Sequence, residues 1–164
     1  MNAVQVRALT ANDWAAVRRI YQEGIATGLA TFETQVPTWE QWHTTHLSVG
    51  RVIAHRDGAI LGWGALSVVS RRHVYRGVAE VSVYVSAQAR QQGVGRAVLN
   101  ALITASEAHG LWMLQAVILR PNHVSVHLHQ SCGFRVVGYR ERIGKLGDTW
   151  YDTVLMERRS AVVG

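Results

Sequence analysis

Residues 111–119 read LWMLQAVIL, an almost unbroken apolar run. A strand of that composition has no face to spare for water, so it belongs inside a sheet covered on both sides. Covering a sheet takes helices, and the rest of the chain supplies their pattern. The expected architecture is one α/β (α+β) domain, residues 1–164, with a mixed, mostly antiparallel central sheet flanked by helices.

The other elements fall in order around that strand. Val4 to Ala8 alternates as a first strand. In TANDWAAVRRIYQEGI, the residues Trp14, Val17, Ile20, Tyr21 and Ile25 recur at helical spacing, with Thr10 or Asn12 as cap. GLATFETQVP is an irregular link closed by Pro37. Thr38 and Gln41 then form a capping-box pattern that opens a second helix, TWEQWHTTHL. Asp57-Gly58 is a strong hairpin signal between strands at 51–55 and 60–69. The basic loop SRRHVYRG leads into VAEVSVYVS, a strand of alternating β-branched residues. Val94, Ala97, Val98, Ala101, Leu102 and Ala105 form one helical stripe, stopped by Gly110. PNHVSVHLHQSCG reads as a short helix, and two last strands, near 134–143 and 150–157, are joined by GKLGD as a turn.

Composition narrows what such a domain does. A chain of 164 residues can bury a real core. No apolar run approaches the roughly 18–20 residues of a membrane span. MNAVQVRALT lacks the layout of a signal peptide. Cys132 stands alone, which rules out an internal disulfide framework and makes a cytoplasmic setting the expectation. The formal charge is +6, and sixteen arginines stand against one lysine, Lys145. Arginine holds phosphate and carboxylate through paired hydrogen bonds, which suits an anionic ligand, although a solvated arginine-rich surface explains the count equally well. A nucleic-acid-binding module fits the charge too. Against it, the arginines are scattered and no recognition motif accompanies them.

The stretch ARQQGVGRAV, Ala89 to Val98, sets glycines at a strand-to-helix turn. The first turn of a helix leaves backbone donors unpaired and carries partial positive charge, so phosphate or pyrophosphate is the implied ligand. A P-loop would need a Gly-Lys-Ser/Thr ending, which is absent. A dinucleotide fingerprint would need a third glycine where Val98 stands. What remains is Arg90-Gln91-Gln92-Gly93-Val94-Gly95, the R/Q-x-x-G-x-G/A pattern, or a helix start with no ligand at all.

Three longer stretches extend that pattern: IYQEGIATGLATFET, GVAEVSVYVSAQARQQGVGRAVLNALI, and PNHVSVHLHQSCGFRVVGYRERIGKLGDTWYDTVLMERRS. Through them the chain resembles the GNAT superfamily of acetyl-CoA-dependent N-acetyltransferases, and within it the phosphinothricin and methionine sulfone/sulfoximine group. The resemblance implies the GNAT fold with strands splayed at the acetyl-CoA site, a small-molecule amine as acceptor, no metal, no membrane, no nucleic acid, and a homodimer. It places Val83, Tyr84 and Val85 on the strand that pairs with the pantetheine arm. Gln91, Gln92, Gly93, Val94, Gly95 and Arg96 match the pyrophosphate loop, and Asn122 matches a contact near the thioester. Glu80 matches a glutamate proposed as base, and His129 stands where many members carry an acidic tyrosine.

The chemistry asks for such groups. An attacking amine must lose a proton, and a carboxylate on a strand can take it directly or through water. Glu80 could instead be a structural glutamate paired with Arg71, Arg72 or Arg76. The developing oxyanion needs a preorganised donor, for which the Val85 backbone N–H is the candidate. His129 could protonate the leaving thiolate, or simply pack. His123, His127, His129 and Cys132 have the spacing of ligand pairs, but the pairs face different sides of a helix. Arg71, Arg72, Tyr75 and Arg76 of the basic loop are expected to hold the acceptor, with Phe32 and Glu33 as the opposite lip. The expected reaction is direct acetyl transfer, in a ternary complex, to an amino-acid-like amine such as phosphinothricin, methionine sulfone or methionine sulfoximine. A protein or aminoglycoside N-acetyltransferase on the same fold is the alternative.

Overall fold

The computed structural model describes all 164 residues. Seven strands form one sheet: β1 (Gln5–Ala8), β2 (Val52–Arg56), β3 (Ala59–Val68), β4 (Val78–Val85), β5 (Met113–Leu119), β6 (Arg135–Leu146) and β7 (Thr149–Arg159). Their order is β1-β2-β3-β4-β5-β7-β6. Only β4 and β5 are parallel, and every other neighbour is antiparallel. The apolar run at 111–119 is thus an inner strand, between β4 and β7, as its composition demanded.

Four helices complete the fold: α1 (Trp14–Ala26), α2 (Trp39–Thr45), α3 (Val94–Ala108) and α4 (His123–Ser131). α3 is amphipathic, and Val94, Val98, Leu99 and Leu102 meet Leu66, Ala79, Val81, Ala116, Val154 and Met156 in the larger core. The smaller core lies on the opposite face and joins α1 and α2 to the sheet through Val17, Ile20, Tyr21, Trp42, Ile53 and Trp63. α2 starts as its sequence requires: Gln41 N–H donates to Thr38 Oγ1 and Thr38 N–H donates to Gln41 Oε1. The helix stops at Thr45, before Leu47, where the His46 ring turns back on Trp42. No helix is long and apolar enough to cross a membrane.

A second boundary, after that of α2, differs from the sequence expectation. β6 runs on to Leu146, and only Gly147 and Asp148 form the turn. Gly144 and Lys145, expected in a loop, pair with Tyr151 and Trp150. The glycine there serves packing: the Phe32 ring lies against it, 2.8 Å from where a Cβ would stand.

Candidate active site

β4 and β5 are joined only at their starts. Their ladder holds Val78 with Met113, Ala79 with Leu114 and Glu80 with Gln115, and then ends. β4 continues to Val85 and β5 to Leu119 without pairing, and a cavity of about 290 Å³ opens between them. The open edge of β4 carries hydrogen-bonding groups into that gap. Ser86 N–H donates to Leu61 O of β3 at 2.8 Å. N–H direction alternates along a strand, so Tyr84 and Ser82 also turn to β3, while Val83 and Val85 turn to the gap. Of Val83, Tyr84 and Val85, the residues on the strand that the resemblance sets beside the donor, Val83 and Val85 turn their N–H groups to the gap. Tyr84 instead contributes its ring.

Past the end of β4 the chain turns into α3. Gln91 and Gly93 have φ of +60° and +81°, left-handed values that glycine adopts without a steric cost. None of the N–H groups of residues 91–96 bonds to another part of the chain. They form a donor cradle at a helix start, with Arg90 and Arg96 exposed beside it. Such a cradle fits a phosphate or pyrophosphate. Gly95 faces α4, where a Cβ would meet Leu128 Cδ2 at 3.0 Å.

Glu80 stands at the narrow end of the gap, in the last joined pair, and accepts a hydrogen bond from Gln115 Nε2 at 2.8 Å. It pairs with no arginine. His129 lines the cavity from α4 and is 4 % exposed. The Ser125 backbone oxygen lies 2.7 Å from its Nδ1. A carbonyl only accepts, so Nδ1 carries the proton and Nε2 is the free atom. Burial pushes the imidazole down from its ordinary range, against the pull of that carbonyl, and so favours the neutral ring.

The segment between α1 and α2 forms one wall. Ala30, Thr31, Phe32 and Glu33 line the cavity. Phe32 seats on Gly144, and Leu29 O accepts from Asn122 Nδ2 at 3.1 Å. Asn122 also caps α4 by accepting from Ser125 N–H, so both ends of its amide are committed to tying the lip to the helix. Tyr84 closes the side, stacked between Trp63 at 4.7 Å and Tyr21 at 4.8 Å. Gly24 makes the space, since a Cβ there would stand 2.7 Å from the Tyr84 ring. Burial first, and then the nearby Tyr21 phenol, push the Tyr84 phenol well up, so it stays protonated.

The basic loop lies elsewhere. Arg71, Arg72, Tyr75 and Arg76 are exposed and none lines the cavity. The reason is topological: the loop enters β4 at its joined end, where Trp112 and Met113 N–H both donate to Gly77 O. Arg76 stacks on Trp112 and Arg72 on Tyr75 instead. The lining therefore holds two carboxylates, Glu33 and Glu80, and no lysine or arginine. His123 and His127 are exposed while His129 is buried, and no three His, Cys, Asp or Glu side chains are grouped to hold a metal. Thr153 also lines the cavity, and Gln115 reaches it through its hydrogen bond to Glu80. Gln115 was the one strongly polar side chain in LWMLQAVIL, a readable signal, whereas nothing in the sequence marked Thr153.

The comparisons with known proteins agree with this geometry. The family model for the acetyltransferase (GNAT) domain matches residues 6–155. Phosphinothricin N-acetyltransferase of Alcaligenes faecalis is 34% identical over 163 residues, 95% of this chain and 82% of the relative. The L-methionine sulfoximine/L-methionine sulfone acetyltransferase of Pseudomonas aeruginosa is 28% identical over 94% of both chains. A GNAT superfamily phosphinothricin acetyltransferase from Sinorhizobium meliloti, crystallised with acetyl-CoA, superposes with a TM-score of 0.86 at 30% identity, over 95% of this chain and 88% of that one. The forked strands, the donor cradle and the family match meet in one assignment: the chain belongs to the GNAT family and is an acetyl-CoA-dependent N-acetyltransferase.

Proposed function

We propose that the acceptor is a small amino-acid-like amine and that Glu80 and His129 handle the two protons of the transfer. The observation that carries this reading is the ladder ending at Glu80 and Gln115, which sets a carboxylate at the apex of a gap edged by free strand amides. Acetyl-CoA supplies the acetyl group as a thioester. The amides of Val83 and Val85 would hold its arm, and the N–H groups of 91–96 its pyrophosphate. Val85 N–H faces the gap, where it is a ready donor to negative charge developing on the carbonyl oxygen. Glu80 takes the proton from the amine, directly or through one water. His129 has its Nδ1 proton fixed on Ser125, so the proton it gives to the leaving sulfur passes through Nε2. Because burial favours the neutral ring, Nε2 first takes up the second proton, shed by the nitrogen once it has attacked, and hands it to the sulfur as the C–S bond breaks.

The amino-acid-like class is supported by what the similar proteins are named for, phosphinothricin and methionine sulfoximine or sulfone. The lining adds an orientation. With Glu33 and Glu80 as its only carboxylates and no cation, the cavity draws an amine inward and leaves the acceptor's carboxylate toward the mouth. Arg71, Arg72 and Arg76 have no carboxylate partner, and any part they take lies beyond the lining. CoA release measured over a panel of amines tests the reading. Methionine sulfone, methionine sulfoximine and phosphinothricin are expected to exceed aminoglycosides and peptide N-termini in kcat/KM. The opposite order would transfer the assignment to another acceptor class.

A further inference from the structure

The acceptor side of the gap contains a polar atom that the fold does not use. Thr153 lies in β7, is 1 % exposed, and its Oγ1 has no hydrogen-bond partner. Three other buried side-chain polar atoms share that condition, on Trp42, Arg56 and Trp63, and none of those residues lines the cavity. Thr153 does. A stranded hydroxyl costs stability, and valine would fill the same space without that cost. An unpaired donor inside a binding cavity is instead accounted for if a ligand pairs with it.

Register shows which ligand. Glu80 pairs with Gln115, so the two side chains share a face of the sheet. Gln115, Val117 and Leu119 alternate on that face and pair with Glu157, Leu155 and Thr153 of β7. Thr153 is therefore on the face of Glu80, the one covered by Phe32 seated on Gly144, and opposite the face packed by α3. It pairs with Leu119, four residues along β5 from Gln115 or about 13 Å at the usual rise of a strand, and β7 lies two strand spacings, about 9.5 Å, from β4, so Glu80 and Thr153 are about 16 Å apart along the sheet. The Glu80 and Thr153 side chains leaning toward each other, two hydrogen bonds of about 2.8 Å each, and an extended acceptor of about six heavy atoms cover that length.

We propose that Thr153 is a specificity residue whose hydroxyl donates to an oxygen at the far end of the acceptor, while the acceptor's amine meets Glu80. The fitting class is an amino acid with an oxygen on its distal sulfur or phosphorus: a sulfone, a sulfoximine or a phosphinate. This rests on the amino-acid-like acceptor proposed above and adds the group that selects among such acceptors. The neighbouring lining is apolar at Val117, Leu119 and Phe32, so the hydroxyl gives that stretch of the wall a donor able to tell an oxygenated side chain from a plain thioether.

The test compares methionine sulfone with methionine as acceptors for the wild-type enzyme, Thr153→Val and Thr153→Ser, with acetyl-CoA saturating. The wild type is expected to prefer the sulfone. In Thr153→Val, kcat/KM for the sulfone should fall about tenfold, that for methionine should hold within about twofold, and the acetyl-CoA KM should not move. Thr153→Ser should keep the preference, and Thr153→Val should melt at a higher temperature because the stranded hydroxyl is gone. Two outcomes overturn the proposal: equal losses on both acceptors, or a higher Tm with discrimination intact. Failure of the underlying reading looks different, since wild-type enzyme would then turn over neither amino acid while still acetylating another amine, and both proposals would fall together.

Discussion

Glu80 and Gln115 are the last residues that β4 and β5 share before the strands part, and Gln115 Nε2 holds Glu80 Oε1 at 2.8 Å. The carboxylate is thus fixed at the apex of the fork by a neighbour that adds no charge. Glu80→Gln should lower kcat by about 10²–10⁴-fold, the usual loss for a general base. Gln115→Leu should cost less and act through aim: kcat falls while the acetyl-CoA KM stays. Stopped-time assays of CoA release across pH check both, and full activity in Glu80→Gln would remove the base from Glu80.

The turn into α3 leaves no space for a larger residue at one point. Gly95→Val places methyl groups against Leu128, which lies 3.0 Å from a Cβ alone. The variant should fold, because Leu128 is a flexible side chain, but the cradle of N–H groups will be displaced. A rise of about tenfold or more in the acetyl-CoA KM, with the acceptor KM nearly constant, is expected from steady-state kinetics.

Phe32 and Gly144 form a seat for the acceptor lip. Gly144→Val would drive a side chain into the Phe32 ring, which already lies within 2.8 Å of a Cβ position. Acceptor KM should rise several-fold with the acetyl-CoA KM unchanged, and Phe32→Ala should do the same. The double variant should be little worse than either single one, since both remove the same contact.

Acid unfolding has an identifiable contributor far from the site. Arg7 holds Asp13 by two hydrogen bonds, chiefly through which its carboxyl drops from 3.8 to about 2. A lowered carboxyl binds fewer protons folded than unfolded, so its contribution is complete above the unfolded value and lost as pH falls toward about 2. That contribution is roughly 2 kcal/mol. Asp13→Asn should remove it, and urea midpoints of variant and wild type should converge near pH 2.

His129 acts at milder pH with the same sign. Its folded-state value is lowered by burial, so the unfolded chain takes up protons first as pH drops below about 6.5. Stability should decline in that range, and His129→Phe should flatten part of the decline. The rest belongs to His46, also lowered by burial beneath the Trp42 stack. The same variant should lower kcat if Nε2 delivers the thiolate proton.

Much of this was readable from residue patterns, and the failures have causes. Period-two spacing located β1 and β4 and period-3.6 spacing located α1 and α3, because local geometry sets those periods, while β5 showed as an almost unbroken apolar run. The capping box at Thr38 and the turn at Asp57 appeared as written, being contacts within a few residues. Gly144 was read as a turn residue because a glycine looks the same whether it bends the chain or receives a ring from residue 32. Arg71, Arg72 and Arg76 were placed near Glu80 on sequence proximity, but the loop joins β4 at its closed end and the gap opens beyond the other. Thr153 was invisible, since an orphaned hydroxyl exists only once the surrounding packing is known.

A run of rings, Trp42 edge-on to Trp63 and then Trp63, Tyr84 and Tyr21 stacked in turn, leads from the smaller core to the wall of the gap. The Tyr84 ring touches the cavity and the two indoles are sealed from solvent. The molecule therefore carries a built-in optical probe, in which a change at Tyr84 reaches an emitting indole through face-to-face contact. Occupancy of the gap becomes visible as a change in tryptophan emission without a label, and each half-site can be titrated alone, with CoA or with acceptor, before any turnover begins.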